Sequence, residues 1–328
     1  MSEVISMVHG SGGSATGELI DKVFAAEFSN DILDAMEDAA IVSAKGSIAV
    51  TTDSFVVTPV TFRGGDIGRL SVCGTVNDML MRGATPSYMT CGFILEEGTD
   101  IELLKKCVHS MAETAKEAGT RIIAGDTKVV EGHGGFYINT TGVGIVPDGV
   151  DISASNAKEG DVIIVSGTMG DHHAAILAER MSIETDIASD NAPLVEMVTK
   201  LRSLKVHTLR DITRGGLGTV LKELAETSGK NFTIEGTKVP VSAKVSDFCG
   251  LLGLDPLYMG NEGKLVAIVA QEDADKALKA IRSSKYGENA AIIGEVSGKE
   301  PGRLFLKTEL GGIRELDVLQ GEGLPRIC

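Results

Sequence analysis

The chain has 328 residues, enough for about two domains at roughly 150 residues each, and its 43% hydrophobic content can fill two ordinary cores. A net charge of −15 argues against non-specific nucleic-acid binding and against docking on an anionic membrane, and no apolar run approaches the ~20 residues of a membrane span. Five cysteines, at 73, 91, 107, 249 and 328, form no C-x-x-C pair; the odd count and the absence of a secretory signal point to a reducing cytoplasm.

Residues 9–14 read HGSGGS. They lack the G-K-[ST] ending of a P-loop and do not fit G-x-G-x-x-G, so a flexible loop is the simpler reading than a phosphate cradle. Leu19, Ile20, Val23 and Phe24 then follow at helical spacing. SIAVTTDSFVVTP (47–59) alternates like a strand through Ile48 and Val50 and reaches Asp53, which either holds a cation or makes a turn. Residues 66–83 repeat Ile67, Leu70, Cys73, Val76 and Leu80, which predicts a helix. Asn77 and Asp78 interrupt it, and a carboxylate buried there needs a partner or a metal.

Thr99-x-x-Glu102 predicts a capping box at the start of a helix through Ile101, Leu104, Val108, Met111 and Ala115, with Gly119 as its stop. Lys105, Lys106, Glu113 and Glu117 fall on its solvated face. RIIAGDTKVV (121–130) predicts a short strand followed by Gly-Asp-Thr-Lys, where Asp126 and Lys128 present a carboxylate and a cation to one phosphate chain. A strand from Phe136 to Val146 leads to Pro147-Asp148-Gly149, the predicted domain boundary.

EGDVIIVSG (159–167) predicts a buried strand, and GTMGDHH opens a helix through Ala174, Ile176, Leu177 and Met181. His172 and His173 are adjacent, so on a helix they point in different directions and read as a helix start rather than a shared metal site. Residues 182–206 are expected to continue in helices. In DITRGGLGTVLKELAETSG (211–229), Asp211 either caps the following helix or faces a site. Glu262 lies between glycines just before a strand, where nothing local requires a carboxylate. A helix around Ala274, Ala277, Leu278 and Ile281 and strands at 290–296 and 303–307 precede the tail. The elements mix without strict alternation, which reads as α+β in both halves.

The tail, GEGLPRIC (321–328), ends on Cys328. Gly321 and Gly323 loosen it and Pro325 stiffens its end. Fully extended it reaches roughly 27 Å at ~3.4 Å per residue. It is either a frayed terminus or an arm that carries a thiol.

Asp53, Asp78 and Asp126 are hard-oxygen ligands suited to Mg²⁺, and in so acidic a chain they point to a nucleotide bound through metals rather than a P-loop. TTDSFVVTP, the Asn-Asp of TVNDM, AGDTK, DITRGG and the terminal PRIC stand in one order. That order closely resembles the hydrogenase-maturation carbamoyl dehydratases of the aminoimidazole-ribotide synthetase and selenophosphate synthetase superfamily. The resemblance covers essentially the whole chain. DITRGG and GDT mark the superfamily, and P-R-x-C marks the branch.

The resemblance implies a two-domain PurM-like fold. Residues 1–148 would bind ATP and pair across a homodimer through a β-barrel-type interface. Residues 149–320 would form an α/β sandwich, and 321–328 a flexible tail. It implies ATP bound by Asp53, Asn77, Asp78, Asp126 and Asp211, with Mg²⁺ on Asp38, Asp53, Asp78 and Asp126. Asp38 stands in EDAA where relatives often have Asp-Asp. Cys328 would carry the carbamoyl group, and Lys128 and Glu262 would act on it. A carbamoyltransferase (HypF type) would load the tail, and an iron-scaffold complex (HypC–HypD type) would receive the cyanide. Two rival readings share parts of the pattern. A synthase of a diffusible metabolite needs the acids but not Cys328; a non-catalytic carrier needs Cys328 but no ATP.

Overall fold

The computed structural model describes residues 4–6, 9, 18–35, 45–298 and 302–319. Asp38, most of the HGSGGS segment and the tail with Cys328 lie outside the described residues.

The first half contains β1 (Ile48–Phe55), the short β2 (Thr61–Phe62) and β3 (Gly65–Asp66), α1 (Ile67–Met81), β4 (Thr85–Glu96), α2 (Ile101–Ala118), β5 (Arg121–Val130) and β6 (Phe136–Ile145). Its main sheet has the order β1-β6-β4-β5. The β4–β5 pair is parallel, so its connection must cross over the sheet, and α2 provides that crossover. Alternation in β1 turns Thr51, Asp53 and Phe55 toward α1 and leaves Ile48, Val50, Thr52 and Ser54 on the outer face.

Helix α1 is buried on almost every side, beyond the single apolar stripe that its sequence spacing predicts. Asp66 caps it, accepting from the Arg69 N–H at 2.9 Å. Gly68 permits its contact with α2, since a Cβ there would stand 1.9 Å from the Cys107 carbonyl oxygen.

Helix α2 starts one residue later than the expected capping box. Asp100, not Thr99, is its N-cap, accepting from the Glu102 and Leu103 N–H groups at 2.8 and 3.0 Å. The Thr99 hydroxyl is already committed, donating to the carbonyls of Glu96 and Gly135. The Gly119 stop holds, with φ +68°. Strand β5 runs through Gly-Asp-Thr-Lys rather than ending before it.

The second half contains β7 (Val162–Val165), α3 (Asp171–Met181), α4 (Val195–Leu201), β8 (Val206–Asp211), α5 (Gly216–Ser228), β9 (Asn231–Glu235), α6 (Ala243–Leu252), β10 (Leu265–Val269), α7 (Ala274–Arg282), β11 (Ala291–Ser297), β12 (Leu304–Lys307) and β13 (Ile313–Leu316). The sheet order is β13-β12-β9-β11-β7-β10-β8. Strands β7 and β10 are buried at every residue, as their unbroken apolar runs VIIV and LVAIV require.

The expectation of continuous helix over 182–206 is wrong. Residues 183–194 take no regular structure before α4. Pro193 supplies no N–H, and the neighbouring backbone groups find partners in the first half instead. Ser189 N–H donates to the Arg63 carbonyl at 2.8 Å, and Leu194 N–H donates to Asn77 Oδ1 at 3.0 Å.

Glu117 is exposed, as expected, but its side chain is not free in water. It accepts from Arg69 Nη1 at 3.0 Å and also from Lys285 and Tyr286, which joins α1 and α2 to the loop after α7. These donors outweigh desolvation and hold the Glu117 carboxyl down at about 2. Its folded pKa lies below the usual carboxylate value. Its contribution to stability is therefore present above about pH 4.5 and lost as the pH falls toward 2. Urea melts should show Glu117→Gln costing up to about 1 kcal/mol at pH 7, since solvent screens an exposed group. The variant should also lose less stability than the wild type between pH 4.5 and pH 2.

Candidate active site

The C-terminal end of β8, the inner face of β1 and the last turn of α1 enclose a cleft of about 410 Å³. Asp53, Asp78, Arg210, Asp211, Thr213 and Arg214 are among its lining residues. Each carboxylate is placed by its element. Asp53 faces inward from β1 and accepts from Thr75 Oγ1 at 2.9 Å. Asp78 accepts from Thr51 Oγ1 at 2.8 Å. Asp211 ends β8 and does not cap α5, whose N-cap is Gly215 with no side-chain cap bond. Of the two sequence readings for Asp211, the structure supports the one that faces the site.

Burial is the main force raising the carboxyls of Asp53 and Asp78; repulsion by Asp78 adds to it at Asp53, and the threonine bonds oppose it at both. Asp211 is pushed up to about 7 by burial first, then by Asp78, with Arg210 opposing. Glu262 lies in the loop before β10 and is 4% exposed. Its carboxyl is raised well above the ordinary range by burial, and then by Asp211, Asp190, Asp53 and Asp78. An isolated carboxyl in such a field holds a proton that an exposed glutamate would release.

Asn77 stands apart from these acids in role. It is 2% exposed, and its side chain is spent on backbone. Nδ2 donates to the Ala192 carbonyl at 3.0 Å and Oδ1 accepts from Leu194 N–H at 3.0 Å. Asp126 and Lys128 are not in the cleft either. They lie on the outer face of β5, three strands from β1 in the sheet order, roughly 14 Å away at ~4.8 Å per strand. Lys128 Nζ reaches both Asp126 oxygens at 2.6 Å, and this bond is the main cause lowering the Asp126 carboxyl.

Among the described residues, no group of three or more His, Cys, Asp or Glu side chains is arranged to hold a metal ion by itself. The cleft's carboxylates are oxygen donors, crowded and mutually repelling. That suits a hard cation which keeps waters and takes one or two carboxylates plus ligand oxygens. His172 and His173 form no metal pair: His172 Nδ1 is 2.7 Å from Ser189 Oγ, and His173 Nδ1 accepts from Gly260 N–H at 3.3 Å. The sequence reading missed Arg210, which carries no motif, and Thr51, which was seen only as the first residue of TTDSFVVTP. Arg214 was visible only as the Arg of DITRGG.

Comparison with known proteins places the chain in a class. Residues 36–146 match the N-terminal domain of AIR synthase related proteins, and residues 158–307 match their C-terminal domain. The two-domain α+β fold is the PurM-like fold of that class. Within it, the chain is 49% identical to the carbamoyl dehydratase HypE of Cupriavidus necator, covering 99% of this chain and 95% of that one. A solved structure of the hydrogenase maturation protein HypE in complex with ATP aligns with TM-score 0.94 and 45% identity, over 98% of this chain and 99% of that one. A chain of a solved HypE–HypF complex aligns with TM-score 0.80 and 47% identity, over 92% and 99%. The chain belongs to the HypE family of carbamoyl dehydratases, enzymes of hydrogenase maturation.

Asp211 gives this site a pH signature opposite to that of Glu117. Its folded pKa is raised, so the folded chain holds a proton between about pH 4 and 7 that the unfolded chain releases, and stability falls as pH rises through that window. Asp211→Asn should therefore melt at higher temperature than wild type at pH 8, by the equivalent of about 2 kcal/mol. The two proteins should converge near pH 4; scanning calorimetry across pH reads both effects.

Proposed function

We propose that this chain uses ATP to dehydrate a carbamoyl group carried on Cys328 to a thiocyanate, which supplies the cyanide ligand of the [NiFe]-hydrogenase iron centre. The observation that carries this reading is Glu262, a buried carboxyl made proton-seeking by Asp211, Asp53 and Asp78 beside a polar cleft. The resemblance to a HypE solved with ATP supports the nucleotide, and the terminal PRIC supports the carrier.

In this reading the loading partner, a carbamoyltransferase of the HypF type, leaves S–C(O)NH₂ on Cys328. A HypE–HypF complex has been solved for a relative. The tail then folds back. Leu319 N–H donates to Thr219 Oγ1 and Tyr258 OH donates to the Asp317 carbonyl, so the last described residues are anchored beside α5. The same turn supplies Thr213 and Arg214 to the cleft. Nine further residues, fully extended, span up to about 30 Å.

The carbamoyl oxygen attacks the γ-phosphorus of ATP, and ADP leaves. The ionised form of Glu262, scarce but strongly basic because its pKa is raised, takes one proton from nitrogen; the C–O bond breaks, the departing phosphate carries off the second proton and S–C≡N remains. Arg210 and Arg214 place positive charge where the phosphates lie. Asp53 and Asp78 would hold Mg²⁺, which when bound offsets the charge of the transferring phosphoryl group. The thiocyanate passes to an iron-scaffold complex of the HypC–HypD type, in the cytoplasm. No helix among the described residues is long and apolar enough to cross a membrane.

A homodimer accounts for the separation of Asp126 and Lys128 from the cleft. The outer face of the first sheet exposes Ile48, Val50, Ile94, Val130 and Tyr137, with Val50 61% exposed. Exposed apolar side chains at both ends of this face, with threonines between them, suit a partner laid along it. A second copy laid on it closes a barrel-type interface, and Asp126 and Lys128 then serve the partner's cleft. Val50→Asp should give monomers in sedimentation velocity where the wild type gives dimers.

Intact mass tests the chemistry, because carbamoyl and thiocyanate forms differ by one water. Cys328→Ala should accept no carbamoyl group. Glu262→Gln should accept it and accumulate it, with dehydration slowed roughly 10²–10⁴-fold. Thiocyanate formed by Glu262→Gln at the wild-type rate would remove Glu262 from the mechanism.

A further inference from the structure

The loop that carries Glu262 has no regular structure to fix it, because β10 starts only at Leu265. Both backbone polar groups of Glu262 are instead held by residues of the 183–194 crossing segment. Its N–H donates to Asp190 Oδ1 at 2.9 Å, and its carbonyl accepts from Ala192 N–H at 3.3 Å. Gly263 makes the approach possible, since a Cβ there would stand 1.9 Å from the Asp190 carbonyl oxygen.

The crossing segment is itself pinned to the first half. Asn77 clamps it at Ala192 and Leu194, and Arg69 Nε donates to the Asn191 carbonyl at 3.1 Å. Asp190 is held in turn by Lys264 Nζ, 3.2 Å from Oδ2, with the two side chains only 6% and 9% exposed. Burying an ion pair is costly, and an apolar pair of similar volume often serves the fold as well. A charged acceptor, however, binds a backbone N–H about twice as strongly as a neutral one.

We infer that Asp190, locked by Lys264, is the positioning residue that fixes the Glu262 backbone, and with it the reacting carboxyl, for the dehydration step. The inference rests on Glu262 acting as the base. Asp190 does not touch the carbamoyl group; it acts through Glu262. It therefore matters for the dehydration step and not for loading of Cys328 or for nucleotide affinity. Displacing a reacting group by about 1 Å costs on the order of 10²-fold in rate.

Two double variants isolate the positioning bond, because both remove the buried charges. Asp190→Asn with Lys264→Met keeps an oxygen acceptor for the Glu262 N–H; Asp190→Ala with Lys264→Met does not. In single-turnover dehydration of the carbamoylated full-length chain, the first should run within about threefold of wild type and the second roughly 10²-fold slower. Carbamoyl uptake and ATP affinity should be unchanged in both. Equal rates in the two variants would overturn the inference. Glu262→Gln run in parallel keeps the two claims apart: wild-type dehydration there defeats the base assignment, whereas slow Glu262→Gln with equal doubles defeats only the positioning role. Hydrogen exchange on the unaltered protein needs no variant to fold. The Glu262 amide should be protected at the level of β10, and exchange at the rate of an open loop would also overturn the inference.

Discussion

Helix α1 has almost no solvent-facing side, so its polar side chains must find partners within the protein. Arg69, Cys73 and Asn77 fall at i, i+4 and i+8, on one side of the helix. Arg69 and Asn77 are met by the backbone of the crossing segment, and Arg69 also meets Glu117 and Tyr286. The two halves are thus joined by directed hydrogen bonds as well as by apolar contact. Asp78, the next residue, lies in the cleft. The helix that holds the halves together also sets one wall of the site.

That arrangement explains why the acids can be where they are. Carboxylates crowded in a low-dielectric seam repel one another, and burial opposes their ionisation further. The cost is tolerable because the surrounding contacts over-determine the geometry: threonine bonds to Asp53 and Asp78, arginine beside Asp211, and the clamp on the Glu262 loop. Cation and phosphate binding would relieve the repulsion, and Glu262, deepest of the group, keeps its affinity for protons. The mutual repulsion of these acids and the basicity of Glu262 have one physical source.

Much of this was legible in the sequence where local pattern and long-range packing agree. The α1 and α2 periodicities, the Gly119 stop and the buried β7 and β10 runs all reappear in the fold. The failures share a cause, which is contact across the chain. Pattern left Glu117 exposed, as it is, but could not show that Lys285 and Tyr286, about 170 residues away in a loop of the other half, donate to it. It read 183–194 as helix because nothing local shows that Asn77 and Arg63 receive that backbone. Strands β4 and β8 went unread for lack of clean alternation, and β9 went unread although its NFTIE alternates. At the site, the sequence brought out Asp53, Asp78, Asp211 and Glu262, which converge. It grouped Asp126 and Lys128 with them, which the sheet order separates within one chain. Asp190 and Lys264 carried no signal, since their importance lies in a backbone N–H that only the fold reveals.

The central claim is that burial among like charges keeps the Glu262 carboxyl protonated where ordinary glutamates are ionised. Carbon-13 NMR of glutamate side-chain carboxyls, assigned by comparison with Glu262→Gln, tests it directly. The account predicts that the Glu262 resonance titrates at clearly higher pH than those of the exposed Glu196 and Glu272, whose carboxyls are held down by hydrogen bonds from Lys200 and Lys205. A Glu262 resonance that titrates together with those surface groups would contradict it.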